Sequence, residues 1–133
     1  MFQPIFQTDK ILISFDQEKK VCEIALSHDF DEIELFKADL KKFLEIAAKH
    51  KAEKALWNLE NFNITIGPEL QAWIDDNINK AEVEMGISKE AFLVQDDLTA
   101  ELSVEQTMDE AHAQGLQTKL FNNRNEAIDW LLT

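Results

Sequence analysis

The stretch QTKLFNNRNEAIDWLLT, residues 117–133, decides the fold. A short apolar segment at residues 119–121 predicts a strand, residues 122–125 form a polar turn, and residues 126–132 predict a compact helix. Asn123 can cap this helix, and Glu126, three residues later, can complete a capping box. A strand followed at once by a helix is therefore the local unit, and the chain upstream repeats this unit three more times.

A hairpin opens the chain. Alternating side chains flank the polar turn DQEKK at residues 16–20, with Ile11, Ile13 and Phe15 before it and Cys22, Ile24 and Leu26 after it. We interpret residues 1–9 as an extended N-terminal segment. An edge strand is an alternative at residues 2–6, although Pro4 lacks the N–H that a central strand needs.

Helices and strands alternate after the hairpin. Apolar residues at spacings of three and four predict a helix over residues 31–51, and a short apolar run predicts a buried strand over 55–59. Pro68 suits the first position of a helix that ends near Gly86. A strand is predicted at 91–94. The residues Val104, Met108 and Ala111 mark a further helix, which Gly115 closes.

This order predicts an α/β fold: a single-layer mixed sheet of about five strands, with a leading β-hairpin and then parallel strands, and about four helices. The 133 residues fit one domain, so residues 1–133 are expected to form a single unit. The helical connections imply parallel strands, and the hairpin adds an antiparallel one.

Charge and hydropathy narrow the classes of function. Thirteen basic and 26 acidic residues give a net charge of -13, which disfavours binding to nucleic acid. The longest apolar runs are too short to span a bilayer, so no membrane insertion is expected. Residues 1–15 lack the pattern of a secretory signal, which makes a cytoplasmic location the expectation. The acidic surface could serve solubility alone or attract a basic protein partner.

The sequence indicates no cofactor. Cys22 is the single cysteine and reads as a small buried hydrophobe, and no cluster has the spacing of a zinc site. Gly67, Gly86 and Gly115 are isolated, so none forms a phosphate-binding loop. Asp96, Asp97 and Glu101 could together bind a divalent cation, but such loops usually offer more ligands at tighter spacing.

With these elements in place, the chain resembles the STAS-like, SpoIIAA-like family of small α/β proteins over about residues 10–133. The resemblance rests on the leading hairpin, the segment WNLEN at 57–61, the helix begun by Pro68 and containing Trp73, and the closing EAIDWL at 126–131. In sigma-regulator members, a phosphorylated Ser or Thr after the third strand switches binding to a kinase. Here no Asp-Ser-Ser-Gly-like element lies between Asn58 and Leu70, and the only hydroxyl is that of Thr65, so we predict that Thr65 is not a phospho-switch. Lipid-carrier relatives of the same architecture would imply an apolar ligand.

Ligands of parallel α/β sheets bind outside the carboxyl ends of the strands. The residues that follow these ends form the candidate rim for a ligand or partner: Asn58, Glu60, Asn61, Asn63, Asp96, Asp97, Asn122, Asn123 and Arg124. Asn and Asp are also the ordinary residues of turns and helix caps, so this structural alternative stays open.

The histidines and tryptophans are expected to have structural roles. His28 is read as a solvated loop residue, His50 as interacting with the last carbonyls of its helix, and His112 as partly packed beside an apolar stripe. The indoles of Trp57, Trp73 and Trp130 are expected in the core.

These observations favour a non-enzymatic STAS-like domain that binds a protein partner or a small molecule at the strand ends, and a homodimer is compatible with them. One alternative is an enzyme that uses Asp96, Asp97 or Glu60 in acid/base or metal chemistry. Another is a carrier of a lipid or other apolar molecule.

Overall fold

A computed structural model describes residues 1–95 and 115–133 and contains one mixed sheet of six strands in the order β1-β2-β3-β4-β5-β6. β1 to β3 pair antiparallel, whereas β3 to β6 pair parallel. The predicted α/β fold with a single mixed sheet is confirmed. The strands are β1 Gln3–Gln7, β2 Ile11–Asp16, β3 Val21–Leu26, β4 Lys54–Asn58, β5 Lys89–Leu93 and β6 Gln117–Phe121.

The strand beyond the predicted five is β1. It pairs with β2 at the sheet edge, and its register shifts between Pro4 and Phe6. An edge strand tolerates proline because its outward backbone groups need no partner strand, and a register shift further discourages pairing with another chain. The extended segment of the prediction is therefore largely an edge strand.

The helices lie close to their predicted positions. They are α1 Ile33–Lys49, α2 Pro68–Ile74, α3 Lys80–Glu84 and α4 Arg124–Leu131, and a π-helical turn at Asp75–Asn79 joins α2 to α3. The helix predicted from Val104, Met108 and Ala111 lies outside the described residues. No helix in the described ranges is long and apolar enough to cross a bilayer.

Helices cover both faces of the parallel strands. On the first face, side chains of α1 and α2 such as Phe43 and Ile74 pack with Ile24, Trp57 and Phe92 in the main core. On the second face, α4 contacts β4, β5 and β6 in a smaller core, whose buried members are Val21, Leu56, Ala91, Leu93, Ala127 and Leu131. Strands buried on both faces explain the short continuous apolar runs at residues 55–57 and 91–94.

The π-helical turn keeps one helical face on the sheet. Leu70, Ile74, Ile78 and Glu82 are buried and recur every four residues. An α-helix turns about 100° per residue, so side chains spaced four residues apart would rotate around the helix axis by a total of about 120° from Leu70 to Glu82. A π turn winds more slowly and offsets much of the drift. Glu82 therefore faces the core rather than solvent.

The core prediction for the tryptophans holds fully for one of them. Trp57 is buried between Phe43 and Phe92, with ring centroids 6.1 Å and 5.5 Å away. Trp73 and Trp130 pack against the edges of the two cores and are only half-buried. Lysine side chains cover the rings of both, with Lys89 Nζ 4.8 Å from the centre of the Trp130 ring.

The two sides of α4 are expected to differ in their contribution to stability. Leu131 is fully buried, so Leu131→Ala should lower the free energy of unfolding by about 3 kcal/mol, and Trp130→Ala by about 2 kcal/mol because its ring is partly exposed. Leu132 is 43% exposed, and Leu132→Ala should change stability by less than about 0.5 kcal/mol. Urea unfolding measures all three. Equal losses for Leu131 and Leu132 would contradict this packing.

Candidate binding surface at the strand ends

The parallel register brings the carboxyl ends of four strands to one edge of the sheet. Ala25, Asn58, Leu93 and Phe121 lie in one row across β3 to β6. The β1–β2 turn reaches the same edge, because β2 starts at Ile11 opposite Leu26. The predicted rim residues after β4 and β6 therefore share one end of the molecule. Asp96 and Asp97, predicted after β5, lie outside the described residues.

A shallow depression of about 190 Å³ lies at this edge. Asn58 and Asn61 line it together with Thr8, Lys10 and Ser27. Two hydrogen bonds fix its walls. The Ser27 N–H donates to the Lys10 carbonyl at 2.9 Å, and the Thr8 hydroxyl accepts from the Lys10 N–H at 3.1 Å. The structure thus places two predicted rim residues beside a turn that sequence reasoning did not include.

The predicted asparagines also bond within their own loop. The Asn58 side chain accepts from the Glu60 N–H at 3.1 Å, and the Asn63 side chain donates to the Asn61 carbonyl at 3.3 Å. The Asn63 N–H donates to the His28 carbonyl at 3.0 Å. Asn58 and Asn63 therefore have the turn-forming role that was the structural alternative, while Glu60 and Asn61 remain exposed.

His28 is not the solvated loop residue that the sequence predicted. Its side chain is fully buried, its Nε2 lies 2.7 Å from Asp39 Oδ2, and its ring meets Phe36 edge-on at 5.6 Å. The loop folds inward because α1 offers a carboxylate on its buried side. Asp39 is the sequence signal that was missed, since an acidic residue between the buried Phe36 and Leu40 requires a buried partner.

Arg124, predicted on the rim, is partly exposed and is engaged in an ion pair. Its guanidinium makes a two-pronged ion pair with Glu23 of β3, with both N–O distances at 2.5 Å, and the Phe2 ring lies 5.2 Å from Arg124 Cζ. Glu23 is only 7% exposed. Hydrogen bonding to Glu23 raises the pKa of Arg124 further, so the charge is permanent. The ion pair joins the start of α4 to the sheet.

The remaining residues after β6 serve the helix terminus. The Asn123 side chain accepts from the Glu126 N–H at 3.1 Å, which confirms the predicted cap. Asn122 is exposed and lines a second cleft with Glu126. Neither position shows an arrangement specific to a ligand.

The loop at residues 27–32, here called the Phe30 loop, carries the most exposed aromatic side chain described. Phe30 is 77% exposed, and Asp29 and Asp31 beside it are exposed as well. Lys10 Nζ lies 2.9 Å from Glu32 and 3.5 Å from Asp29. The Asp29 N–H and then Lys10 lower the pKa of Glu32, so this carboxylate stays ionised. An apolar side chain thus projects from an acidic loop.

A larger open groove, of about 690 Å³, lies at the opposite end of the sheet. Its walls include Met1, Phe15, Lys49 and His50, and it contains none of the predicted rim residues. His50 ends α1, and its ring packs on Phe15 with centroids 5.0 Å apart. Asp16 in its wall accepts hydrogen bonds from the Met1 amino group and from the N–H groups of Glu18 and Lys19, so its polar groups are already paired within the chain.

The predicted cation ligands lie outside the described residues, whereas Cys22 lies within them. Within residues 1–95 and 115–133, no three His, Cys, Asp or Glu side chains lie close enough together to hold a metal ion. Glu101 and His112 lie outside these ranges, as do Asp96 and Asp97. Cys22 is fully buried, as predicted, and burial raises the pKa of its thiol to about 12, which keeps it unreactive.

Comparisons with known proteins bear on the fold. No family model and no curated protein matches the chain. Among solved structures, the fold is similar to that of the nuclease MPE of Pseudomonas putida, with a TM-score of 0.52 and 14% sequence identity. The match covers 90% of this chain and 60% of the nuclease chain, so this chain spans less than two-thirds of the nuclease. At this identity the similarity shows the fold alone.

Replacing Arg124 should reveal its structural role. Arg124→Ala leaves the Glu23 carboxylate buried without a partner and should cost about 2 kcal/mol, below the full value for a buried pair because the Arg124 side chain is 40% exposed. In a Glu23→Gln background the same change should cost less than about 1 kcal/mol, since no buried charge is left behind. Urea unfolding of the four proteins measures this coupling. The same cost in both backgrounds would show that the ion pair is not what holds α4.

Proposed function

We propose that this chain is a non-enzymatic, STAS-like module that binds a protein partner through its strand-end surface. The Phe30 loop is the apolar anchor, and Asn61 and the depression beside it form the polar part. The main support for this proposal is the exposure of the Phe30 side chain, which is 77%, on a loop that is held at both ends. Exposed aromatic side chains with polar surroundings are typical of protein–protein interfaces.

Three contacts support a preorganised Phe30 loop. His28 is bonded to Asp39 of α1, the His28 carbonyl accepts from Asn63, and Glu32 pairs with Lys10 of the β1–β2 turn. Each contact lies within two residues of Phe30, so few backbone conformations remain open to it. A loop that is already ordered loses less entropy on binding, which favours affinity.

Charge indicates the kind of partner. The net charge is -13, and Asp29, Asp31 and Glu34 surround the exposed ring in sequence and are exposed. An acidic surface accelerates encounters with a basic partner and repels acidic ones. We therefore infer a partner that offers an apolar pocket bordered by Lys or Arg side chains.

Size favours a protein over a small molecule at this surface. The depression at the strand ends measures about 190 Å³ and is open to solvent. Pockets for small molecules usually enclose roughly 300–1,000 Å³ and bury most of the ligand. A flat protein surface needs no such enclosure, and the exposed Phe30 ring would gain most from being covered.

The STAS-like assignment belongs to the same proposal. The leading hairpin, the alternation of parallel strands with helices, and the helix that carries EAIDWL support it. Thr65 is exposed in the loop before α2, but this loop lacks the Asp-Ser-Ser-Gly-like element of the phosphorylated relatives. We therefore propose partner binding without phosphorylation of Thr65.

A pair of matched variants tests the binding surface. Native mass spectrometry of the protein isolated from its own cells identifies the bound partner, and titration calorimetry then measures affinity. Phe30→Ala should weaken binding by about thirtyfold, the equivalent of about 2 kcal/mol for an interface anchor. Leu132→Ala removes an equally apolar, exposed side chain at the far end of α4 and should leave affinity unchanged. Equal affinities for the two variants would place the interface elsewhere.

The role of the acidic side chains near Phe30 has a separate test. Asp31→Asn combined with Glu34→Gln should slow association with the partner and reduce the salt dependence of the association rate, because both carboxylates are exposed and act at long range. Stopped-flow fluorescence at low and physiological salt measures the rate. An association rate that does not respond to salt in the parent protein would contradict a basic partner.

A further inference from the structure

The main core contains two carboxyl groups that the proposed function does not use. Glu82 of α3 and Glu90 of β5 are both fully buried, with exposures of 0%. None of their four carboxyl oxygens has a hydrogen-bond partner of ordinary geometry. The two carboxyls nevertheless lie near enough for each to shift the pKa of the other. Ionised carboxylates in such a position would repel each other and lack solvation.

The register of the sheet explains how the two groups meet. Cys22, Ala55 and Glu90 lie side by side on β3, β4 and β5 and face the same side. The small side chain of Ala55 leaves space between this row of residues and α3. The π-helical turn directs the Glu82 side chain into that space. Glu82 interacts with Cys22 as well as Glu90. The pair thus lies between α3 and the centre of the sheet.

Protonation resolves the conflict between burial and charge. Burial raises the pKa of Glu82 well above its ordinary value, and the neighbouring Glu90 adds to this effect. Burial also raises the pKa of Glu90, to about 7, while the neighbouring Glu82 side chain acts in the opposite direction. Among the described residues, the other groups facing the pair are the Cys22 thiol and the uncharged Trp57 indole. No described cation offsets the two carboxyls.

We propose that Glu82 and Glu90 share protons and act as a latch that holds α3 on the sheet while protonated and releases it as the pair becomes ionised. A proton bridging two carboxyls makes a strong hydrogen bond across the contact between helix and sheet. Loss of the protons leaves like charges facing each other in a region without solvent. The helix can relieve this only by moving away, and the π-helical turn beside it is a common site of such adjustment.

The direction of the pH effect follows from the raised pKa values. In water both carboxyls have an ordinary pKa of 4.5, whereas in the closed form the pKa of Glu90 is about 7 and that of Glu82 is raised well above its ordinary value. The protonated pair therefore stabilises the closed form fully below about pH 4.5, and this stabilisation is lost as the pH rises through 7. Asp16 and Glu32 have lowered pKa values, so they titrate below this range.

Hydrogen exchange across residues 80–91 tests the latch. After correction for the intrinsic exchange rate, the opening constant of these amides should rise at least about tenfold between pH 6 and pH 8, the change expected when one carboxyl titrates over one pH unit. Glu82→Gln with Glu90→Gln removes both titrating groups and should abolish the rise. Glu84→Gln, an exposed position on the same helix, should retain it.

A measurement on the unaltered chain keeps the proposal testable even where the double variant is unstable. Carbon-13 NMR of the Glu side-chain carboxyls should show two groups still protonated at pH 6, which disappear from the spectra of the respective single Gln variants. Two ionised carboxyls at pH 6 would overturn the proposal. The same pH dependence of amide opening in the double variant and the parent protein would also overturn it.

Discussion

The rest of the structure depends on the parallel pairing of β3 to β6, which carries a single register across four strands. In the described residues, the crossovers through α1 and through α2 and α3 cover one face of the sheet, while α4 covers the other. The parallel pairing also gathers the carboxyl ends of four strands at one edge, where the β1–β2 turn joins them. The strand-end surface and the buried row of Cys22, Ala55 and Glu90 are consequences of the same register.

The sequence predicted what depends on periodicity and turn chemistry. The hairpin, α1, β4, the start of α2 at Pro68 and the Asn123 cap all follow from local patterns, and each is found. The sequence does not decide between an edge strand and an extended segment at β1, because Pro4 is compatible with both. The π-helical turn was not foreseen, although the strict four-residue spacing from Leu70 to Glu82 was its signal.

The side-chain pairings could not be read from the sequence because each joins two different elements of the fold. The pairs are His28 with Asp39, Arg124 with Glu23, and Glu82 with Glu90, and no local periodicity indicates which side chains meet. Each ties a helix to the sheet or to a loop, and each involves a charged or titratable group with little access to solvent. Arg124 illustrates the consequence: a residue predicted on the rim is fixed by Glu23, while Phe30, which no motif indicated, is the most exposed aromatic side chain described.

The central claim is that the molecule binds its partner with the strand-end edge rather than with its helical faces or its far end. Nitrogen-15 NMR of the labelled chain during titration with the partner captured from its own cells tests this directly. The account predicts that the amide shifts change most at residues 8–10, 27–32 and 58–63. Changes centred on β1 and on the groove around Phe15 and His50 would contradict it.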